Sequence, residues 1–396
     1  MITENVKVTS TAEEMSFNSW EDDDIVALKQ KLLRGIYAYG FETPSPIQKR
    51  AIIPLVLKHD VIAQAQSGTG KTGAFIVGAL QLLDEKKKEP QVLILAHTRE
   101  LARQIYSVVE ALSNQMSITY QLLVGGTSTD DDREKLEDSP PQVIIGCPGR
   151  VHDMIRRKYL KTHNINLMIL DEADELLSHG FKDQIYKIFQ FMNQDIQIGL
   201  FSATMPQELN ILTSKFLRNP VKILIKKELL TLQGIAQYFV ALDNDEGKYQ
   251  TLKDLFGTLS VSQAIIYCNS IRRVDDLYDA MKHDEFPVQR LHGGLDESDR
   301  KQIYSTFKNG SCRVLIATDL LARGIDVQQV SIVINFDIPK NIHTYLHRIG
   351  RSGRWGRKGV GINFITRRDV QKLKEIEEFY STEIKEFPEN YKEVIR

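Results

Sequence analysis

Apolar residues in this chain come in short continuous runs, each followed by a helical pattern. The first set lies at 61–65, 92–95, 143–146, 167–170 and 198–201. Runs that do not alternate suit parallel strands covered on both faces, so an α/β unit with flanking helices is predicted. A charged stretch ending in glycine follows, and the pattern then repeats at 264–268, 288–292, 314–318, 332–336 and 361–365. This divides the chain into a tail and leading helix (1–39), a first domain (40–225), a linker (226–234) and a second domain (235–396). Residues 1–19 are polar and aperiodic and predict a mobile tail. Ile25, Leu28, Leu32 and Ile36 fit one face of the leading helix, and Pro46 suits the first turn of the next.

The polar and glycine residues that can do chemistry come directly after these runs. In open α/β sheets ligands bind beyond the carboxyl ends of the strands, so such residues share one rim. After the first run comes Ser67-Gly68-Thr69-Gly70-Lys71-Thr72, and an apolar helical pattern follows it. Glycines let successive N–H groups turn toward phosphate oxygens, and the helix start adds its positive dipole end. Lys71 can reach the β- and γ-phosphates, and the Thr72 hydroxyl can hold Mg²⁺. The run at 167–170 ends in Asp171-Glu172. Asp171 suits Mg²⁺ beside Thr72, and Glu172 suits the orientation and deprotonation of a water. That pairing favours hydrolysis over transfer to an acceptor. The second domain has no Gly-Lys-Thr loop but carries Arg348, Arg351, Arg354, Arg357 and Lys358. On a helix Arg351 and Arg354 share a face. They can serve as arginine fingers when the domains close, or the cluster can be a solvated or nucleic-acid-binding patch.

Composition narrows the setting. The formal net charge is −1, so no overall positive field marks a nucleic-acid binder and any such site must be local. Cys147, Cys268 and Cys312 lie far apart, with no metal-ligand spacing, which points to a reducing compartment. No run approaches the roughly 18 apolar residues of a membrane span. A cytoplasmic location is predicted, or a nuclear one for a paralogue.

Asp171-Glu172-Ala173-Asp174 resembles the signature of the DEAD-box RNA helicases, and the similarity runs from Phe41 to Tyr380. It implies two tandem RecA-like domains joined by a short linker, ATP and Mg²⁺ as ligands, and RNA held by sequence-independent backbone contacts. Phe41 and Gln48 resemble the adenine-reading motif, which implies ATP over GTP. Thr98, Arg99, Gly126, Pro148, Gly149 and Arg150 resemble the RNA-binding motifs of the first domain. Arg300, Thr318 and Arg323 stand at RNA contacts of the second, and Gly324 and Asp326 at nucleotide contacts. Ser202, Thr204 and His347 resemble motifs coupling hydrolysis to unwinding, and the last motif implies Arg351 and Arg354 as the fingers.

Within the family, residues 125–128, 318–329 and 380–382 are similar to members serving translation initiation. This implies unwinding of short duplexes in 5′ leaders, a monomeric core, and an initiation scaffold and stimulatory factors as partners. An ATP-gated RNA clamp is the alternative. The chain departs from the family pattern at His97 (usually proline), Cys147 (usually threonine), Gly294 (usually aspartate) and Glu297 (often glutamine). Extra residues also separate Phe17 and Trp20 from Gly40.

Overall fold

The computed structural model describes residues 6–8, 16–22, 27–65, 69–178, 180–225, 235–258, 263–319, 330–350, 352 and 359–388. The chain divides into two compact units, 1–226 and 227–396. The predicted linker lies outside the described residues.

The first unit is built on an eight-stranded sheet. Its strands are β1 (Val6–Val8), β2 (Val61–Gln64), β3 (Val92–Leu95), β4 (Tyr120–Leu123), β5 (Val143–Gly146), β6 (Leu167–Asp171), β7 (Gln197–Ser202) and β8 (Val221–Ile225). Their order across the sheet is β1-β8-β2-β7-β6-β3-β5-β4. All pairs are parallel except β1 with β8, so the sheet is not purely parallel as expected. The central strands are buried throughout, which is why they read as continuous apolar runs. The helix Lys71–Leu82 is buried along nearly its whole length, and Phe75 meets Phe201 beneath it at 5.1 Å.

The beginning of the chain differs from the expected tail and leading helix. Val6–Val8 adds a strand to the sheet edge, and Phe17 and Trp20 are each 1% exposed. The helix spans Gln30–Ala38, so Leu28 precedes it, and Ile25 lies outside the described residues. Lys29 sets the start by long-range contacts. Its N–H donates to the Gln81 side chain at 2.9 Å, and its ammonium donates to the Leu80 and Leu83 carbonyls at the end of the helix Lys71–Leu82.

The second unit carries a seven-stranded parallel sheet. Its strands are β9 (Ile235–Leu242), β10 (Ala264–Tyr267), β11 (Val288–Leu291), β12 (Val314–Ala317), β13 (Ile332–Asn335), β14 (Gly359–Thr366) and β15 (Lys385–Glu386). They are ordered β11-β12-β10-β13-β14-β9-β15. No helix among the described residues is long and apolar enough to cross a membrane.

Candidate active site

The phosphate-loop region begins where β2 ends. Ser67 and Gly68 lie outside the described residues; Thr69, Gly70, Lys71 and Thr72 lie within them. Gly70 precedes the helix with φ 97°, a conformation that a side chain would strain. Lys71 is 7% exposed, and its ammonium donates to the Ala65 carbonyl. Gln48 approaches from the helix Pro46–Val56. Its carbonyl oxygen accepts from Ser45 N–H at 2.8 Å, completing a capping box, and its amide donates to the Gly70 carbonyl at 3.3 Å. Phe41 lies nearby with Trp20 stacked on it, centroids 6.4 Å apart and planes at 16°, and with Tyr39 edge-on at 4.8 Å. A Cβ at position 73 would sit 2.6 Å from the Gln48 amide nitrogen and 2.8 Å from a Phe41 ring carbon. These two side chains therefore rest on the backbone of the first helical turn.

β6 delivers the carboxylates between β3 and β7. Asp171 is 2% exposed; burial and the neighbouring Glu172 raise its carboxyl above the usual range, while Lys71 works the other way. Glu172 takes φ 47°, and its N–H donates to the Asp171 carboxylate at 3.0 Å. Its carbonyl accepts from Glu175 and Leu176, which opens the helix Ala173–Ser178. His97, just past β3, places Nδ1 3.4 Å from Glu172 Oε2.

Ser202 and Thr204 are buried against this edge. The Ser202 hydroxyl donates to the Thr204 carbonyl at 2.7 Å and accepts from Asp174 N–H at 3.4 Å. The Thr204 hydroxyl donates to the Asp174 carboxylate at 2.6 Å. From β2, Ala65 N–H donates to the Ser202 carbonyl at 3.0 Å, and the Gln64 amide donates to the Ala203 carbonyl at 3.2 Å. The ends of β2, β6 and β7 are thus one hydrogen-bonded assembly.

The RNA candidates of the first unit gather beyond β3, β4 and β5. Thr98 caps the helix Arg99–Leu112 by accepting from Leu101 N–H at 3.2 Å. Arg99 packs along Gly125, where a Cβ would meet its Nη2 at 3.1 Å. Gly126 and Gly149 are exposed, and Pro148 opens the helix Pro148–Arg156. Arg150 is held by neighbours within the first unit. Its guanidinium pairs with Asp132 and donates to the Thr127 carbonyl at 2.8 Å, so it braces the Thr127 loop.

In the second unit, Arg300 lies on the helix Glu297–Lys308 and Thr318 directly follows β12. Arg323, Gly324, Asp326, Arg351 and Arg354 lie outside the described residues. His347 and Arg348 are 1% and 0% exposed, which removes Arg348 from the surface basic cluster expected from the sequence. Arg348 pairs with Asp319 and donates to Asn335 at 3.1 Å, the Asp337 carbonyl at 2.6 Å and Asn269 at 2.8 Å. The Tyr267 ring lies 5.3 Å from its guanidinium carbon.

Sequence reasoning missed the Trp20 support of Phe41, the His97 contact and the Arg150–Asp132 pair. His97 carried a signal as a departure from the family pattern, and Trp20 as an aromatic set off from Gly40 by extra residues.

Comparison with known proteins gives this arrangement its context. The DEAD/DEAH box helicase profile matches residues 45–212, and the helicase conserved C-terminal domain profile matches 247–356. A protein of Pyricularia oryzae named ATP-dependent RNA helicase eIF4A is 56% identical over 372 residues, 94% of each chain. Its namesake from Neurospora crassa is likewise 56% identical over 94% of each chain. Among solved structures, S. cerevisiae Dbp5 bound to RNA and ADP BeF3 matches with a TM-score of 0.88 at 35% identity, over 94% of this chain and 97% of that one. The chain belongs to the DEAD/DEAH box helicase family.

Proposed function

We propose that this chain is an ATP-dependent RNA helicase of the translation-initiation type. ATP and RNA together close the two domains and open short duplexes locally, and the RNA-stimulated ATP hydrolysis that closure permits reopens the domains. The observation that carries this reading is the 56% identity, across 94% of the chain, to a relative named ATP-dependent RNA helicase eIF4A. The geometry supports it, because one sheet edge bears a phosphate-loop lysine, a buried aspartate and a glutamate.

In this reading Phe41 stacks on adenine and Gln48 reads its edge. Residues 67–72 cradle the phosphates, with Lys71 on the β- and γ-groups. Glu172 orients the attacking water and takes its proton. The donor set fits Mg²⁺: Asp171 is a buried carboxylate beside a second one, and hard dications favour carboxylate and hydroxyl oxygens. Thr72 and Asp171 would hold the ion, which supplies charge neutralisation to the phosphates. Arg351 and Arg354 act as fingers, and Gly324 and Asp326 touch nucleotide.

Thr98, Arg99, Pro148, Arg150, Arg300, Thr318, Arg323 and the backbone at Gly126 and Gly149 hold RNA through its phosphates and sugars. Ser202, Thr204 and His347 couple the two events. A cytoplasmic location and an initiation scaffold as partner complete the proposal.

The test is ATP hydrolysis with no nucleic acid, single-stranded RNA or single-stranded DNA, together with displacement of a short RNA duplex. Stimulation by RNA alone, with strand displacement, is expected. Absence of stimulation, or equal stimulation by DNA, overturns the reading. Glu172→Gln should keep ATP binding and lose turnover; normal turnover in that variant removes Glu172 as the base.

A further inference from the structure

His97 stands where the family pattern has proline, and nothing in the function proposed above uses it. Its position follows from the sheet. β3 and β6 pair in register, with Leu95 opposite Leu170, so the two strands deliver His97 and Glu172 side by side. Nδ1 lies 3.4 Å from Oε2, and the two side chains are only 3% and 9% exposed.

Both backbones are held. Ala96 N–H donates to the Gly146 carbonyl at 3.0 Å, and the Thr98 hydroxyl caps the following helix. Glu172 sits in the left-handed region at φ 47°, with its N–H and its carbonyl both engaged. These backbone bonds leave the Glu172 side chain to be placed by its own contacts, of which that to the His97 ring is one. The neighbouring ring nitrogen is placed to select one rotamer.

We infer that His97 is a positioning residue for Glu172: Nδ1, 3.4 Å from Oε2, draws that oxygen toward it and so directs Oε1 toward the attacking water. This rests on the reading of Glu172 as the group that orients that water. At 3.4 Å the two atoms are close but not hydrogen-bonded to each other in this structure. An ionised carboxylate only accepts, so an Nδ1–H facing it attracts it, and a small side-chain rotation closes the bond. Proline offers no side-chain donor at this position, so this chain orients its carboxylate by a device that the family pattern lacks.

Two measurements on the full chain test the inference. The first is steady-state ATP hydrolysis at saturating single-stranded RNA for His97→Leu, which removes the donor, and His97→Asn, whose amide lies near the Nδ1 position. His97→Leu should lower kcat about fivefold or more with the KM for ATP within about twofold, and His97→Asn should recover most of the lost kcat. Unchanged kcat, a loss confined to KM, or equal loss in both variants overturns the inference.

The second is nitrogen NMR of the ¹⁵N-histidine-labelled chain, with the His97 ring identified by the signals missing from His97→Asn. A protonated Nδ1 that shifts in Glu172→Gln is expected. An unprotonated Nδ1, or a signal unmoved by that substitution, overturns the contact whatever the enzymatic result. If the parent showed no RNA-stimulated turnover, the function proposed for Glu172 would fall, while the ring signals would still decide whether the contact exists.

Discussion

Arg348 offers a sharp test, because the sequence and the structure assign it opposite characters. As part of an exposed basic cluster, its loss would weaken catalysis or RNA binding and leave stability unchanged. The structure buries it completely, with acceptors from Asn269, Asp319, Asn335 and Asp337 around one guanidinium. Arg348→Met keeps much of the volume but strips these acceptors of their donor. Hydrogen bonds to a charged group contribute about 1.5–3 kcal/mol each, but they do not add within one network. Measured losses for breaking one side of a buried ionic network, about 3–5 kcal/mol, are the better guide. For a unit of this size, each kcal/mol shifts Tm by roughly 2–4 °C, so a fall of about 6–20 °C is expected. Scanning calorimetry of the full chain reads this as a selective shift of one transition. Arg348→Lys keeps the charge but loses the planar fork, and should fall between parent and Arg348→Met. If Arg348→Met melted within about 1 °C of the parent while RNA-dependent turnover collapsed, the guanidinium would be a ligand-facing cation and the strut argument would be refuted.

Two further substitutions probe the site more locally. Gly73→Ala places a methyl group 2.6 Å from the Gln48 amide and 2.8 Å from Phe41. Both neighbours are side chains that can yield, so the expected result is a KM for ATP raised about fivefold or more, with weaker preference over GTP, at a stability cost of about 1–3 kcal/mol. Cys147 occupies the N-cap of the helix Pro148–Arg156 without a side-chain cap bond. Cys147→Thr supplies the missing hydroxyl acceptor and should raise stability by about 1 kcal/mol in urea denaturation.

The central strands were legible because burial on both faces forces continuous apolar sequence. The edge strands were not. β4 is partly exposed on alternate residues, and β8 carries exposed Lys222, so neither shows an unbroken apolar run. The candidate loop at 67–72, Asp171 and Glu172 stood out in the sequence because the chemistry proposed for them needs particular residue types at fixed local spacing. Gln48 alone was ambiguous; its bonds to Ser45 and Gly70 need the loop and the helix together. The pairings of Arg348 and Arg150 were hidden for one reason. An arginine in sequence carries no sign of whether its partners, here Asp319 and Asp132, come from distant turns. His97 could be flagged as unusual, but its meaning required the β3–β6 pairing.

The stacking of Trp20 on Phe41 bears on how such chains are aligned. Counted back from Gly40, Trp20 falls at an unfamiliar distance, and a comparison that scores spacing would discard it. What persists in the folded molecule is a ring-on-ring contact made from a separate piece of chain. Length can therefore drift between the two pieces without loss of the aromatic platform, and equivalence here belongs to the surface touched rather than to the column occupied.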